Sequence, residues 1–348
     1  MLAIILAGGR GIRLWPESRH LRPKQFCKFP NEKSMLQNTL ERLEKAGFSR
    51  LLIVTGEDLK DAVEQVSDQT NASIPIEILT EPEGRNTAPA IAFALSACLH
   101  EPPDTLLGIF PADHHIERMP AFSHSLATAF RAAETGKLTL LGITPRRPET
   151  GYGYIEQANY EFASLPDVYP VQAFREKPTA ELAQSYLESG RYSWNSGIYI
   201  SRLDVLLQEY RKFLPKLYDT IQQGAFAFRR AYPSLPSVSI DCAIAEKSGC
   251  LAVVNGDFGW CDLGSWNALG ELYPADGAQN ICRGADIVAL QSQNCLLKQQ
   301  DKTLVLYDVQ DLLVVETDDV VLITQRKQAQ NILTIVSDLE QRHRSDLL

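Results

Sequence analysis

The chain has 348 residues, 45% of them hydrophobic and 22% charged, which is enough for one large domain and a smaller one. Its 34 Lys and Arg against 43 Asp and Glu give a net charge of −9, a balance that argues against a general binder of nucleic acid or of anionic membranes. The charge is uneven, however. Residues 1–33 hold seven basic side chains (Arg10, Arg13, Arg19, Arg22, Lys24, Lys28, Lys33) against Glu17 and Glu32, a local +5, so the remainder carries −14. A basic segment on an acidic body suggests a local anion site. The seven cysteines are scattered, with no Cys-x-x-Cys pair, which argues against a disulfide framework and a structural zinc site. The apolar start at 2–7 has no basic leader and runs into Gly8-Gly9, and no apolar run approaches ~18–20 residues. A cytoplasmic protein is expected, with no membrane and no nucleic-acid partner.

In chain order, 2–6 reads as a buried strand and 35–46 as a helix closed by Gly47. A strand at 51–55, a polar helix near 58–69 and a strand at 74–80 follow. A helix capped by Asn86 or Thr87, with Pro89 in its first turn, runs to about 98. The cycle repeats as a strand at 106–110, a helix at 120–135 and a strand at 138–143. This alternation predicts a largely parallel sheet with helices on both faces, which binds ligands beyond the carboxyl ends of its strands. From about 280 the texture changes to short β-rich runs (287–290, 295–297, 303–307, 312–316, 320–323), predicting a small all-β unit or short solenoid without a clean repeated motif. A terminal helix is expected at 326–340.

The loop after the first strand is the most informative stretch. Gly8, Gly9 and Gly11 fall within four residues, so backbone N–H groups can converge without Cβ obstruction. Such a nest suits phosphate oxygens, and Arg10 and Arg13 add fork-shaped donors. A dinucleotide fingerprint fails because no third glycine opens a helix, and a Walker motif fails because Gly-Lys-Ser/Thr is absent. Lys24, fixed behind Pro23, brings a further cation. The alternative reading is a tight turn with solvated arginines.

The run from Leu6 through Trp15-Pro16 to Pro23-Lys24-Gln25-Phe26 resembles the signature of nucleotidyltransferases that activate sugar 1-phosphates, and is most similar to the mannose-1-phosphate guanylyltransferase branch. Further segments agree in order: Glu81-Pro82-Glu83-Gly84-Arg85-Asn86-Thr87-Ala88, Pro111-Ala112-Asp113-His114, Gly151-Tyr152-Gly153-Tyr154, Glu176-Lys177-Pro178, Trp194-Asn195-Ser196-Gly197 and Asp262-Leu263-Gly264-Ser265-Trp266. The resemblance covers essentially the whole chain. It departs at Arg10-Gly11-Ile12, where the family more often has a small residue and then Thr or Glu; this matters only if those side chains, and not backbone N–H groups, meet phosphate.

What the resemblance implies is an α/β fold. A Rossmann-like, GT-A-type nucleotidyltransferase domain with a mostly parallel mixed sheet would occupy 1–275. A small β-rich domain, like a short left-handed β-helix with a terminal helix, would occupy 276–348. The implied reaction joins mannose 1-phosphate to GTP, giving GDP-mannose and pyrophosphate. Because the sugar phosphate is already anionic, catalysis rests on neutralising repulsion and holding two anions in line. Mg²⁺ or another divalent cation is implied, with Asp113 and Asp262 as its carboxylates; each is otherwise read as a helix cap. Arg13 and Lys24 are the implied catalytic cations. The nucleotide would meet Leu6, Gly8, Gly9 and Gly11, with Glu81 accepting from guanine N1–H and N2–H₂ and Asn86, Thr87 and Ala88 closing over the ring.

The sugar phosphate would meet Gly153, Glu176, Lys177 and Asn195. Adjacent residues on a strand point opposite ways, so a turn at Pro178 is expected to bring both Glu176 and Lys177 to the cleft. Tyr186, Tyr192, Tyr199 and Tyr210 are expected to pack the sugar lobe, and Arg19, Arg22, Lys28 and Lys33 to act as support or solvent-facing charge. Adjacent His114 and His115 do not favour zinc. The chain is too short for the cupin-type isomerase domain that some relatives add, so a monofunctional homodimer is expected. The competing readings are another sugar 1-phosphate or nucleoside triphosphate as substrate, or a non-catalytic relative that senses a GDP-sugar.

Overall fold

A computed structural model describes residues 1–9, 11–162 and 165–348. The contacts sort these into two units: Met1–Gly8 with Gln37–Trp260, and Gly9–Leu36 with Cys261–Leu348. This grouping differs from a break at 275/276 drawn on sequence texture. The physical reason lies in the core of the second unit. There Leu14, Trp15, Cys27, Phe29 and Met35 from the early segment are buried together with Leu263, Trp266, Leu296, Leu313, Val315, Leu322, Ile332 and Val336.

The first unit is built on a nine-stranded sheet. Its elements, in chain order, are β1 (Leu2–Leu6), α1 (Met35–Lys45), β2 (Arg50–Gly56), α2 (Lys60–Thr70), β3 (Ile76–Glu81), α3 (Thr87–Ala97), β4 (Leu106–Pro111), the short β5 (His115–Ile116), α4 (Met119–Glu134), β6 (Leu138–Ile143), β7 (Tyr154–Gln157), β8 (Val168–Arg175), β9 (Tyr192–Arg202) and β10 (Leu251–Gly256). The sheet order is β3-β2-β1-β4-β9-β6-β10-β8-β7. The first four are parallel, as the alternating pattern predicts. The eleven-residue β9 then enters antiparallel between β4 and β6, and β7 and β8 pair antiparallel beyond β10. The sheet is therefore mixed, with its antiparallel half supplied by 154–202.

Alternation along each strand divides the side chains between two faces. Leu2, Ile4, Leu52, Val54, Leu107 and Ile109 share one core with α3 and with Leu217, Ile221, Phe228 and Tyr232. On the other face Phe110 meets Phe48 edge-on at 5.3 Å, and Phe48 packs on Phe130 of α4 at 5.7 Å. α3 is apolar around nearly its whole circumference because it is sandwiched: its residues 88–96 are all buried, and it touches the helices Pro215–Ile221 and Gly224–Ala231 as well as the sheet. No helix among the described residues is long and apolar enough to cross a membrane.

In the second unit the β-rich tail is a stack of parallel rungs. Ile281 pairs with Leu296 and Leu296 with Leu313, steps of 15 and 17 residues, while Ile287 pairs with Leu304 on a second face. The repeat that periodicity left hidden lies in the corners. Gln279, Asn294 and Asp311 all take positive φ (63°, 52° and 58°) one or two residues before a buried rung. Short polar side chains tolerate that conformation best, so Asn294 and Asp311 at equivalent corners are the readable mark of the coil. Residues 326–331 form a 3₁₀ turn, and the terminal α-helix is Ile332–Gln341.

Candidate functional site

In the first unit Leu6, Glu81 and Asp113 lie at or just beyond the carboxyl ends of the parallel strands β1, β3 and β4, where backbone carbonyls and N–H groups run out of strand partners. Glu81 closes β3 and is only 5% exposed. Its Oε2 accepts from the Tyr232 hydroxyl, while its Oε1 lies so close to Gly8 that any side chain there would collide with it. Burial raises the Glu81 pKa, against the opposing pull of the Tyr232 hydrogen bond. Gly8 therefore makes room for a carboxylate. Leu6, the last residue of β1, accepts from Ala112 N at 3.1 Å.

Asn86 caps α3, accepting from Thr87 N at 2.8 Å with φ at 68°. Ala88 N donates to Val238 O at 3.1 Å, Ala88 O accepts from Tyr210 at 2.8 Å, and Thr87 Oγ1 accepts from Ile240 N at 2.9 Å. Both backbone groups of the buried Ala88 are thus engaged within the protein, which braces this turn. Tyr210 likewise does more than pack.

Asp113 is half-buried in the turn between β4 and β5. The turn is held on both sides of it: Thr39 Oγ1 donates to Ala112 O at 3.1 Å, and Arg42 donates to His114 O at 3.2 Å and to Thr39 at 2.8 Å. Arg42 is buried, and desolvation lowers its pKa to about 10. His114 Nδ1 accepts from the Trp260 indole at 3.1 Å, which occupies one of its two ring nitrogens.

The expected sugar residues do converge. Asn195 N donates to Gly153 O at 2.8 Å, and a Cβ on Gly153 would come within 2.8 Å of Glu176 Oε2. Lys177 reaches Glu176 at 3.4 Å because Lys177 itself, with φ 45°, breaks the strand alternation; the turn falls there and not at Pro178. The sequence reading missed Asp241. This half-buried carboxylate accepts from Asn195 Nδ2 at 2.8 Å and from the Tyr199 hydroxyl at 2.6 Å, while Asn195 Oδ1 accepts from Gly197 N at 3.0 Å. Asn195 thus has a fixed amide orientation, and Tyr199 is part of a polar network, not plain packing. Burial raises the pKa of Asp241; burial, and then the charge of Asp241, raise that of Glu176. Asp241 opens a five-residue π-turn behind a run of serines and prolines, where a lone acid reads as a helix cap; the available signal was a carboxylate set directly before the apolar residues 242–245.

In the second unit, Gly11 has φ 51°, and a Cβ there would lie 2.6 Å from Lys24 Cβ. Lys24 is 6% exposed, and its ammonium donates to the backbone carbonyl of Asp262. Asp262 Oδ1 in turn accepts from Gly264 N at 3.0 Å. Three residues singled out from separate motifs are therefore in one place. Arg13, on the 3₁₀ turn Ile12–Leu14, is exposed and makes no hydrogen bond or ion pair among the described residues. Gly9 is exposed in open space. Arg19 pairs with Asp319 and Arg22 with Glu17, in the supporting role expected of them. Arg10 lies outside the described residues. No group of three or more His, Cys, Asp and Glu is arranged to hold a metal among the described residues.

A family profile described as Nucleotidyl transferase matches residues 2–279, and one described as MannoseP isomerase/GMP-like beta-helix domain matches 285–339. The chain is 36% identical to an Escherichia coli protein named mannose-1-phosphate guanylyltransferase, over 99% of this chain and 75% of that one. It is 38% identical to the alginate biosynthesis protein AlgA of Pseudomonas aeruginosa, over 99% of this chain and 73% of that one. A crystal structure from Thermus thermophilus, titled mannose-1-phosphate geranyltransferase, superposes with a TM-score of 0.88 at 33% identity, covering 97% of this chain and 99% of that one.

Proposed function

This chain belongs to the nucleotidyl transferase family, and from that premise we propose that it transfers GMP from GTP to α-D-mannose 1-phosphate, forming GDP-mannose and pyrophosphate. The observation that carries this reading is the likeness, along almost the whole chain, to relatives named for that reaction.

In the proposed reaction a phosphate oxygen of mannose 1-phosphate attacks the α-phosphorus of GTP in line. The new O–P bond forms as the bond to the β-phosphate oxygen breaks, and pyrophosphate carries the electron pair away. No strong base is required, so the task of the chain is to place two anions together and hold charge against them. Lys24 and Arg13 are the proposed cations. Lys24 is held by proline on one side and by the Asp262 carbonyl on the other, which limits the freedom it must lose on meeting phosphate.

Mg²⁺ suits the donor set, since Asp113 and Asp262 offer hard carboxylate oxygens and this ion commonly takes its other ligands from phosphate and water. Asp113 and Asp262 are the residues proposed to hold it; when bound it would neutralise charge on the transferring phosphate. Glu81, oriented by Tyr232, is proposed to accept from the guanine edge. Glu176, Lys177 and the fixed amide of Asn195 are proposed to meet the sugar phosphate.

Pyrophosphate release across a panel of nucleoside triphosphates and hexose 1-phosphates tests the reading. GTP with mannose 1-phosphate should give the highest kcat/KM, and chelation of divalent cations should abolish it. A preference for UTP or dTTP over GTP would defeat the guanine assignment, and no turnover with any pair would leave a nucleotide-sugar sensor.

A further inference from the structure

The segment Gly9–Leu36, which carries Arg13 and Lys24, packs with the β-helix and is tied to 261–348 by several polar contacts, Arg19 with Asp319 and Arg283 with Lys28 O among them. Glu17 is the junction. Its Oε1 pairs with the Lys298 ammonium, its Oε2 accepts from Arg22 at 3.1 Å, and its backbone carbonyl accepts from Arg22 at 2.9 Å and from Cys27 Sγ at 3.5 Å. The Glu17 and Lys298 side chains are 11% and 14% exposed, so this pair is shielded from water, unlike most of the ion pairs on the surface. Lys298 also donates to Glu316 O at 3.3 Å, which ties its ammonium to the next rung. Leu296, two residues earlier on the same face of the same strand, shares a core with Leu14, the neighbour of Arg13. Trp15 adds a further tie, donating from its indole to Leu347 O at 2.8 Å.

We propose that Lys298, on the middle rung of the β-helix, is a positioning residue for the phosphate loop, fixing Arg13 and Lys24 through Glu17. The assignment of Arg13 and Lys24 to phosphate rests on the function proposed above; the bracing itself does not. Glu17 lies between the two cations in sequence, four residues after Arg13 and seven before Lys24. With Lys298 in place its carboxylate has a buried partner, and the turn that leads through Arg22 to Pro23-Lys24 has one arrangement. Without Lys298 the carboxylate keeps only the half-exposed Arg22, on Oε2, and its buried Oε1 gains a partner only as the loop that carries it shifts toward water. The β-helix thereby becomes part of the catalytic machinery at a distance, in place of an appended module.

The test uses the full chain with Lys298→Met, which keeps most of the aliphatic stem, Lys298→Arg, which restores a cation, and Lys302→Met as a control. Lys302 is exposed on the same β-helix and contacts Glu316 at 3.8 Å, away from the loop. Hydrogen exchange at the bonded loop amides of Trp15, Glu17, Ser18, Phe26 and Cys27 should quicken about tenfold or more in Lys298→Met, with the rung amide of Ile281 unchanged. In the same variant kcat should fall by about 10–100-fold with the KM for mannose 1-phosphate unchanged, because the proposed sugar residues belong to the other unit. Lys298→Arg should recover most of both effects, and Lys302→Met should show neither. Unchanged loop exchange overturns the proposal, as does exchange that quickens equally in the rungs, which marks a purely structural lysine. An inactive wild-type chain would refute the functional reading alone, since the exchange arm still decides the bracing.

Discussion

Replacing Gly11 by alanine should disable transfer while leaving the chain folded. Two costs follow from the local geometry. At φ 51° a Cβ-bearing residue pays about 1–2 kcal/mol for the left-handed conformation. The new Cβ would also sit 2.6 Å from Lys24 Cβ and 3.2 Å from Lys24 N, against an ordinary carbon contact of about 3.5–4.0 Å. Something must move by about 1 Å, and overpacking of this kind costs roughly 1–3 kcal/mol. Lys24 cannot retreat cheaply, because its backbone follows Pro23 and its ammonium is bonded to the Asp262 carbonyl. The loss of stability should therefore total roughly 2–5 kcal/mol, and a misplacement of about 1 Å at a phosphate-binding cation should lower kcat about 10²-fold. Steady-state pyrophosphate release, beside a thermal melt, measures both. Gly249→Ala is the matched control, since no atom lies near its Cβ position and its φ is ordinary. A Gly11→Ala enzyme with kcat within about threefold of wild type would show that Lys24 is not held where transfer needs it.

Asp241→Asn should raise the KM for mannose 1-phosphate at least about tenfold with a smaller effect on that for GTP, because a neutral amide oxygen is a weaker acceptor than a carboxylate for the Asn195 amide and the Tyr199 hydroxyl that share it; equal effects on both substrates would remove Asp241 from sugar recognition. The same substitution has a pH signature. Burial raises the folded-state pKa of Asp241, so the folded chain binds this proton more tightly than the unfolded one, and stability falls as pH rises from the ordinary carboxylate range through the raised value. Melting temperatures of the two proteins should therefore converge toward the acid end of that window, with Asp241→Asn losing less on going above it; parallel curves would refute the assignment. Tyr232→Phe removes the hydroxyl that orients Glu81 and should cut the preference for GTP over other triphosphates by about tenfold, and an unaltered preference in competition assays would show that Glu81 does not read the base.

Much of the site was legible because its chemistry is written in short-range patterns. A glycine cluster behind a strand, a lysine behind a proline and an aspartate after an apolar strand each have few uses, and their order carried the resemblance. Legibility failed where a residue's role depends on a distant partner. Nothing local to Ala88 shows that Val238 and Tyr210 engage its backbone. Asp241 looks like a cap until Asn195 and Tyr199 are found against it. The β-helix rungs were visible as strands, but their stacking was not, since the corners repeat by backbone conformation more than by residue type.

Sequence by itself determined the alternating α/β order and the glycine loop behind the first strand, and it singled out most of the candidate residues, because strand and helix periodicity and the steric freedom of glycine act within a few residues. Only the tertiary structure decided that the sheet turns antiparallel at β9, that Lys24 meets a carbonyl 238 residues away, and that the glycine-loop segment is buried with the C-terminal rungs. Those outcomes follow from which apolar surfaces and buried charges find partners across the chain. That choice is made by long-range burial, and no local pattern encodes it.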